Sequence, residues 1–139
     1  MSDKIHTEVS ALQLVDQRRA QFALEKVRQN LTAEFRSHVR SMPSMILRNG
    51  LGQASAFYLA KKERRAVFNV LSEWLCSPEQ VYEGCDNLID GVTTKDMYAY
   101  RVAEAEAMAM LIWLKKFAEC FCPKESEKNS GSTAQISQG

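Results

Sequence analysis

Apolar positions recur at helical spacing almost from one end of this chain to the other. Between residue 8 and about residue 31, Val9, Leu12, Ala20, Ala23, Leu24, Val27 and Leu31 share one face at 100° per residue, which predicts a long amphipathic helix. Val15 and Phe22, seven apart, lie off that face, with Arg19 and Lys26 between. Thr32 is placed to cap a second segment, AEFRSHVR, ending near Ser41, and Pro43 suits the first turn of a further helix, where its missing N–H costs nothing. Within residues 43–62, PSMILRNGLGQASAFYLAKK, the pattern predicts one helix stopping at Asn49-Gly50 and another starting almost at once. Ile46, Leu47, Leu51, Ala54, Phe57 and Tyr58 flank that break at helical spacings.

The pattern continues with a helix from about residue 65 to Leu75 carrying Val67, Phe68, Val70, Leu71 and Trp74. Ser77-Pro78-Glu79-Gln80 predicts the start of a short helix, and Gly91 predicts a break. Thr93-Thr94-Lys95-Asp96 offers a capping box for a last helix over about 94–120. That helix is apolar on most of its circumference, leaving a narrow polar strip of Arg101, Glu104, Lys115 and Glu119. A helix of this kind is usually central in its bundle, and its alanines at 103, 105, 107 and 109 admit close neighbours. After Pro123 the polar KESEKNSGSTAQISQG has no means of burying surface. The expectation is an all-α, compact single-domain bundle of about five to six helices with a long apolar C-terminal helix. Residues 1–7 form a flexible start, 8–122 the helical domain and 123–139 a disordered polar tail.

Composition narrows this picture little: 139 residues suffice for one domain, and 45% hydrophobic with 25% charged residues is ordinary for a globular chain. No apolar run approaches the roughly 18 residues a membrane span needs, and the polar N-terminus MSDKIHTEVS is unlike a secretory leader. Cys76, Cys85, Cys120 and Cys122 are then expected as reduced thiols in a cytoplasm, and their spacings fit no zinc pattern. Charge is uneven. Residues 1–75 carry twelve cationic and seven acidic side chains, residues 76–139 six and ten. Such a split is compatible with head-to-tail self-association, or with a basic surface that meets phosphate.

Catalytic chemistry is hard to assemble. Glu34 and His38 alone make no metal ligand set, and Asn49-Gly50-Leu51-Gly52 lacks the strand and Gly-Lys-Ser/Thr of a phosphate cradle. Asp16 and Glu106 project toward the apolar sides of the first and last helices, where each is expected to accept a hydrogen bond from a neighbouring Arg, Tyr or Trp. Were they close, with a solvent-reachable hollow beside them, they would suit acid–base work. No catalytic residue, cofactor or metal is expected. Basic surface remains: Arg18, Arg19 and Lys26 on the first helix, Arg36 and Arg40 four apart on the second, then Arg48, the cluster Lys61, Lys62, Arg64 and Arg65, and Lys115 with Lys116. Without a groove-reading helix or base-stacking platform, contact would be with phosphates and without sequence preference.

These residues together resemble the small helical subunit of the type III-B CRISPR effector, the Cmr complex. The likeness spans about residues 18–118: Arg19-Ala20 with Ala23, Pro43 with Ile46, Asn49-Gly50-Leu51, Ala54, Ala56-Phe57, Leu71 with Trp74-Leu75, Tyr100, Ala103, Ala107 and Trp113-Leu114-Lys115-Lys116-Phe117-Ala118. The resemblance implies a non-catalytic subunit stacked in several copies as a minor filament beside the guide-holding filament. Its partners would be the backbone and large Cmr subunits, further copies of itself, and the guide and target RNA, with no small-molecule substrate and no membrane. Phosphate contacts are expected from Arg18, Arg19, Lys26, Arg40, Arg48, Lys61, Lys62, Lys115 and Lys116, and a subunit contact from Val15 and Phe22. The family pattern departs at Cys120-Phe121-Cys122, where small or basic residues are expected, and the tail has no counterpart. Two alternatives compete: a helical adaptor docking one protein partner through Val15 and Phe22 without RNA, and a small bundle enzyme using Asp16 and Glu106.

Overall fold

The computed structural model describes residues 2–125, with side chains from Ser10 onward. Five α-helices follow one another, and no strand occurs among the described residues. They are α1 (Ser2–Arg28), α2 (Ala33–Ala60), α3 (Arg65–Leu75), α4 (Leu88–Thr94) and α5 (Met97–Phe121), with a 3-10 turn (Lys62–Arg64) between α2 and α3. This is the all-α bundle that the apolar periodicity predicts. Most of the polar tail, residues 126–139, lies outside the described residues.

The helix α5 lies between α1 and α2. Arg19 meets Glu106 and Asn30 meets Cys122, so α1 runs in the same sense as α5. Arg36 meets Cys122 while Leu51 meets Glu104, so α2 runs against it. Ala103, Ala107, Met110, Leu111, Leu114 and Ala118 are the buried face of α5, and the alanines in it let neighbouring backbones come close. Its opposite face remains open: Tyr98, Val102 and Ile112 are exposed, as is Phe121 at its end. On α1 the inner stripe is buried at Ala23 and Val27, but Leu12, on the same stripe, is 71% exposed because nothing in the described chain covers that end.

Four local expectations change in the fold. First, no break occurs at Ser41, and Pro43 lies inside α2. Phe35, Val39, Met42 and Ile46 form one buried stripe across it, and burial of that stripe outweighs the hydrogen bond a proline cannot donate. Second, residues 76–87 form successive turns rather than a helix from Ser77: Gln80 N donates to Ser77 O, Glu83 N to Gln80 O and Cys85 N to Tyr82 O. Glu79 has φ of 71°, which ends any helix there, and Tyr82 N donates to Leu75 O as its ring enters the core.

Third, Gly91 lies within α4, a helix that the sequence pattern does not predict; Asn87 caps it by accepting from Asp90 N. A Cβ on Gly91 would come 2.4 Å from the Tyr82 ring, so the glycine is there for close approach and not for a break. Fourth, α5 begins at Met97 under an Asp96 cap that accepts from Ala99 N, because Thr93 and Thr94 form the last turn of α4.

The Asn-Gly break is present. Gly50 adopts φ 84° and ψ 161°, which splits α2 into two helical pieces. A break of this kind orphans the first N–H groups of the second piece. Here α5 supplies their acceptors: Leu51 N donates to Glu104 Oε2 at 3.0 Å, and Gly52 N donates to Tyr100 Oη at 3.1 Å. Glu104 is therefore half-buried and bonded, not part of a solvated strip. Leu51, Ala54 and Tyr58 beyond the break are buried, whereas Leu47 and Phe57 face outward.

Candidate nucleic-acid interface

The first piece of α2 carries a polar stripe opposite its buried face. Ser37, Ser41, Ser44 and Arg48 recur at spacings of four, three and four, with Arg36 and Arg40 along one edge. The chain that follows α5 forms the other wall with Lys124 and Glu125, enclosing a shallow groove of about 690 Å³. Arg36 closes one end, donating from Nη1 to Cys122 O at 3.2 Å and toward Glu119 O at 3.4 Å, and so supplies donors to the terminal carbonyls of α5. Cys122 is buried beside it and donates its thiol to Asn30 O; burial pushes that thiol up, against the pull of the Thr32 backbone and Arg36. Arg40 and Arg48 are exposed and form no salt bridge among the described residues. The groove thus offers two free guanidinium groups, a third anchored one, a lysine and the hydroxyls of Ser37 and Ser44, while Ser41 donates to Ser37 O at 3.0 Å and Glu125 adds one carboxylate. That set suits a chain of phosphates.

The basic residues of α1 are placed differently. Arg19 Nε and Nη2 grip both oxygens of Glu106 at 2.8 and 2.9 Å, and Trp74 Nε1 donates to the same carboxylate at 2.8 Å. Trp113 Nε1 donates to Asp16 Oδ1, which also lies 3.4 Å from Arg19. The hydrogen bonds to Glu106 push the Arg19 guanidinium further above its already high ordinary value. Lys26 Nζ sits 2.7 Å from Glu73 and against the Phe22 ring, with 12% of its side chain exposed. Arg18 reaches Glu79 at 3.4 Å from the surface. Asp16 and Glu106 therefore hold α1 to α5 and α3 by accepting from Arg and Trp, the structural role that the sequence suggested for them. Arg19 bonds to both carboxylates, with Asp16 exposed and Glu106 largely buried, so both are engaged as acceptors.

The remaining predicted positions are scattered. Lys61 and Lys62 are exposed past the far end of α2, and Lys115 and Lys116 are exposed near the end of α5. Val15 is exposed, but Phe22 is half-buried with its ring centroid 4.9 Å from that of Trp74. Of the nine cations expected to touch phosphate, the fold brings only Arg40 and Arg48 into one concavity. Arg36, the three serines and Lys124 complete it. Sequence reasoning passes over the serines because each reads as an ordinary polar position; their shared spacing with Arg48 is the available signal.

No group of three or more His, Cys, Asp or Glu able to hold a metal occurs among the described residues, and the four cysteines are unpaired. No helix among the described residues is long and apolar enough to cross a membrane.

The sequence profile of the family described as CRISPR-associated protein (Cas_Cmr5) matches residues 15–121, most of the chain. The chain belongs to the Cmr5 family. Its fold is similar to the crystal structure of a CRISPR-associated Cmr5 family protein from Thermus thermophilus, with a TM-score of 0.66 and 27% sequence identity over 78% of this chain and 97% of that one. Both findings agree with the resemblance to the type III-B Cmr small subunit. The match begins at Val15 and ends at Phe121, so it takes in the α2 stripe and the α1–α5 network but stops short of Lys124. One wall of the groove is therefore contributed by a segment beyond the family match.

Proposed function

We propose that this chain is a non-catalytic structural subunit of the type III-B CRISPR effector that stacks in several copies as the minor filament and meets the guide–target duplex through backbone phosphates. It works with the backbone and large subunits of the complex in antiviral defence. Family membership supports the effector-subunit part of this reading. The α2 groove supports the RNA part, because Arg40 and Arg48 project from one helix face and neither forms a salt bridge among the described residues.

Two or three cations per copy give weak binding with a log–log salt slope of only about −2 to −3, so affinity must come from several copies in a row. A wall that includes Glu125 favours a loosely held backbone over a tightly clamped one.

The test replaces Arg40 and Arg48 by Glu in the assembled complex and measures target-RNA affinity at two salt concentrations. Affinity should fall at least about tenfold at low salt, and the log–log salt dependence should become shallower. Unchanged affinity and slope would remove RNA from the reading and leave a subunit that only joins protein to protein.

A further inference from the structure

At the end of α2 opposite the groove, a second arrangement of charge and aromatic surface is left unused by the reading above. Phe57 is 44% exposed, and the guanidinium carbon of Arg64 lies 3.7 Å from its ring centroid. Two hydrogen bonds fix the arginine there: Nε and Nη2 both donate to Phe57 O, at 3.1 and 2.8 Å. Satisfying a helix-terminal carbonyl does not by itself require this placement, since Arg65 donates to Leu59 O nearby with no ring beneath it. Tyr58 meets Phe57 edge-on at 5.8 Å and holds the ring from the core side. The result is a planar cation already stacked on an aromatic face and still partly open to solvent. Lys61, one turn beyond Phe57, and Lys62 are exposed beside it.

We propose that the Arg64–Phe57 stack is a binding site for an unpaired nucleobase of an RNA strand, with Lys61 and Lys62 on the flanking phosphates. This rests on the RNA reading above but adds a different kind of contact. The groove of α2 takes the backbone of a strand, whereas this end takes a base face. Unstacked bases lie on guanidinium planes as readily as on aromatic rings, because both are flat and polarisable. An arginine already held flat by its own hydrogen bonds loses little freedom when a base arrives. The contact has no hydrogen-bond readout, so it should favour purines over pyrimidines by stacking area alone.

The experiment follows the Nε–H signals of the arginines and the Phe57 ring by NMR in the full chain at low salt. The probes are hexa-adenylate RNA, AMP and ribose 5-phosphate. The proposal expects AMP and hexa-adenylate to move the Arg64 and Phe57 signals while ribose 5-phosphate leaves them in place. It also expects the strand to bind at least about tenfold more tightly than AMP, through the added phosphate contacts. Arg64→Lys keeps the charge without the plane and should weaken hexa-adenylate binding at this site about tenfold. Lys61→Gln with Lys62→Gln should lower strand affinity while the AMP-induced ring shifts persist, and this variant removes no buried group. Equal shifts from AMP and ribose 5-phosphate would overturn the stacking site, and equal affinity for AMP and the strand would overturn its assignment to RNA. Shifts confined to Arg40 and Arg48 would also overturn it, yet leave the α2 groove standing.

Discussion

At the scale of single residues, the informative side chains are those whose surroundings invert their usual role. Tyr82 is wholly buried, and its hydroxyl has no hydrogen-bond partner among the described residues. Burial pushes its phenol up to about 12. An unfolded chain ionises that group near 10, so between pH 10 and 12 the folded state keeps a proton that the unfolded state has lost. Stability contributed by this group is therefore full below about pH 10 and falls as pH rises through that window. Tyr82→Phe should flatten that loss in urea unfolding at stepped pH, with stability at about pH 7 unchanged or up by about 1 kcal/mol, since an unsatisfied hydroxyl is removed. Glu106 is the opposite case, a carboxylate whose partners are all in place. Glu106→Ala strands the Arg19 charge and the Trp74 indole N–H, and should cost about 2–4 kcal/mol in the same assay. Glu106→Gln should recover part of that, because an amide oxygen still accepts from Trp74.

Among the elements, α2 is governed by one residue and two distant partners. Gly50 takes a φ that side chains rarely adopt, and a Cβ there would sit 2.8 Å from Tyr100 Oη. Gly50→Ala should destabilise the fold by roughly 2–4 kcal/mol, from backbone strain and from displacement of the tyrosine that caps Gly52. Tyr100→Phe should cost only about 1 kcal/mol, because it removes one hydrogen bond and leaves the glycine conformation intact. Chemical denaturation of both variants separates strain from capping. The break itself was legible, since Asn-Gly in an apolar helical pattern has few other uses. Its stabilising partners were not, because Tyr100 and Glu104 are some fifty residues away and Glu104 reads as surface. The opposite error occurred at Pro43 and Gly91. Local breaker chemistry predicts an interruption at both, and packing of Ile46 and Tyr82 against the core overrode it.

For the whole molecule, the question is which positive charges are free. Arg19 and Lys26 are already paired across helices, and nothing along the chain reveals it: a charge beside an apolar stripe looks the same whether its partner is a carboxylate or a phosphate. Read from the sequence, their reversal to Glu should weaken RNA binding without unfolding the subunit. In the fold it would set carboxylates against Glu106 and Glu73, so the thermal midpoint should drop by more than about 8 °C. Reversal of Arg40 and Arg48 should move it by less than about 2 °C, because exposed unpaired charges contribute little to stability. Differential scanning calorimetry of the two double variants decides between these positions as structural or binding charges. The outcome bears on any mutagenesis of the assembled effector, where loss of RNA affinity means little if the subunit has melted.

Helical periodicity alone determined that this chain is an all-α bundle, because each amphipathic stripe records its own need for cover. The same regularity placed α3 over about residues 65–75 and the kink at Asn49-Gly50. Only the tertiary structure decided which stripe found cover within the chain, which left Leu12 on α1 and Ile112 on α5 exposed while Ala23 and Leu111 are sealed. It also divided the cations into those that close the core and those that line a groove. Sequence records the type and spacing of charges, whereas their pairing depends on which helices meet, and that is set by burial of apolar surface elsewhere.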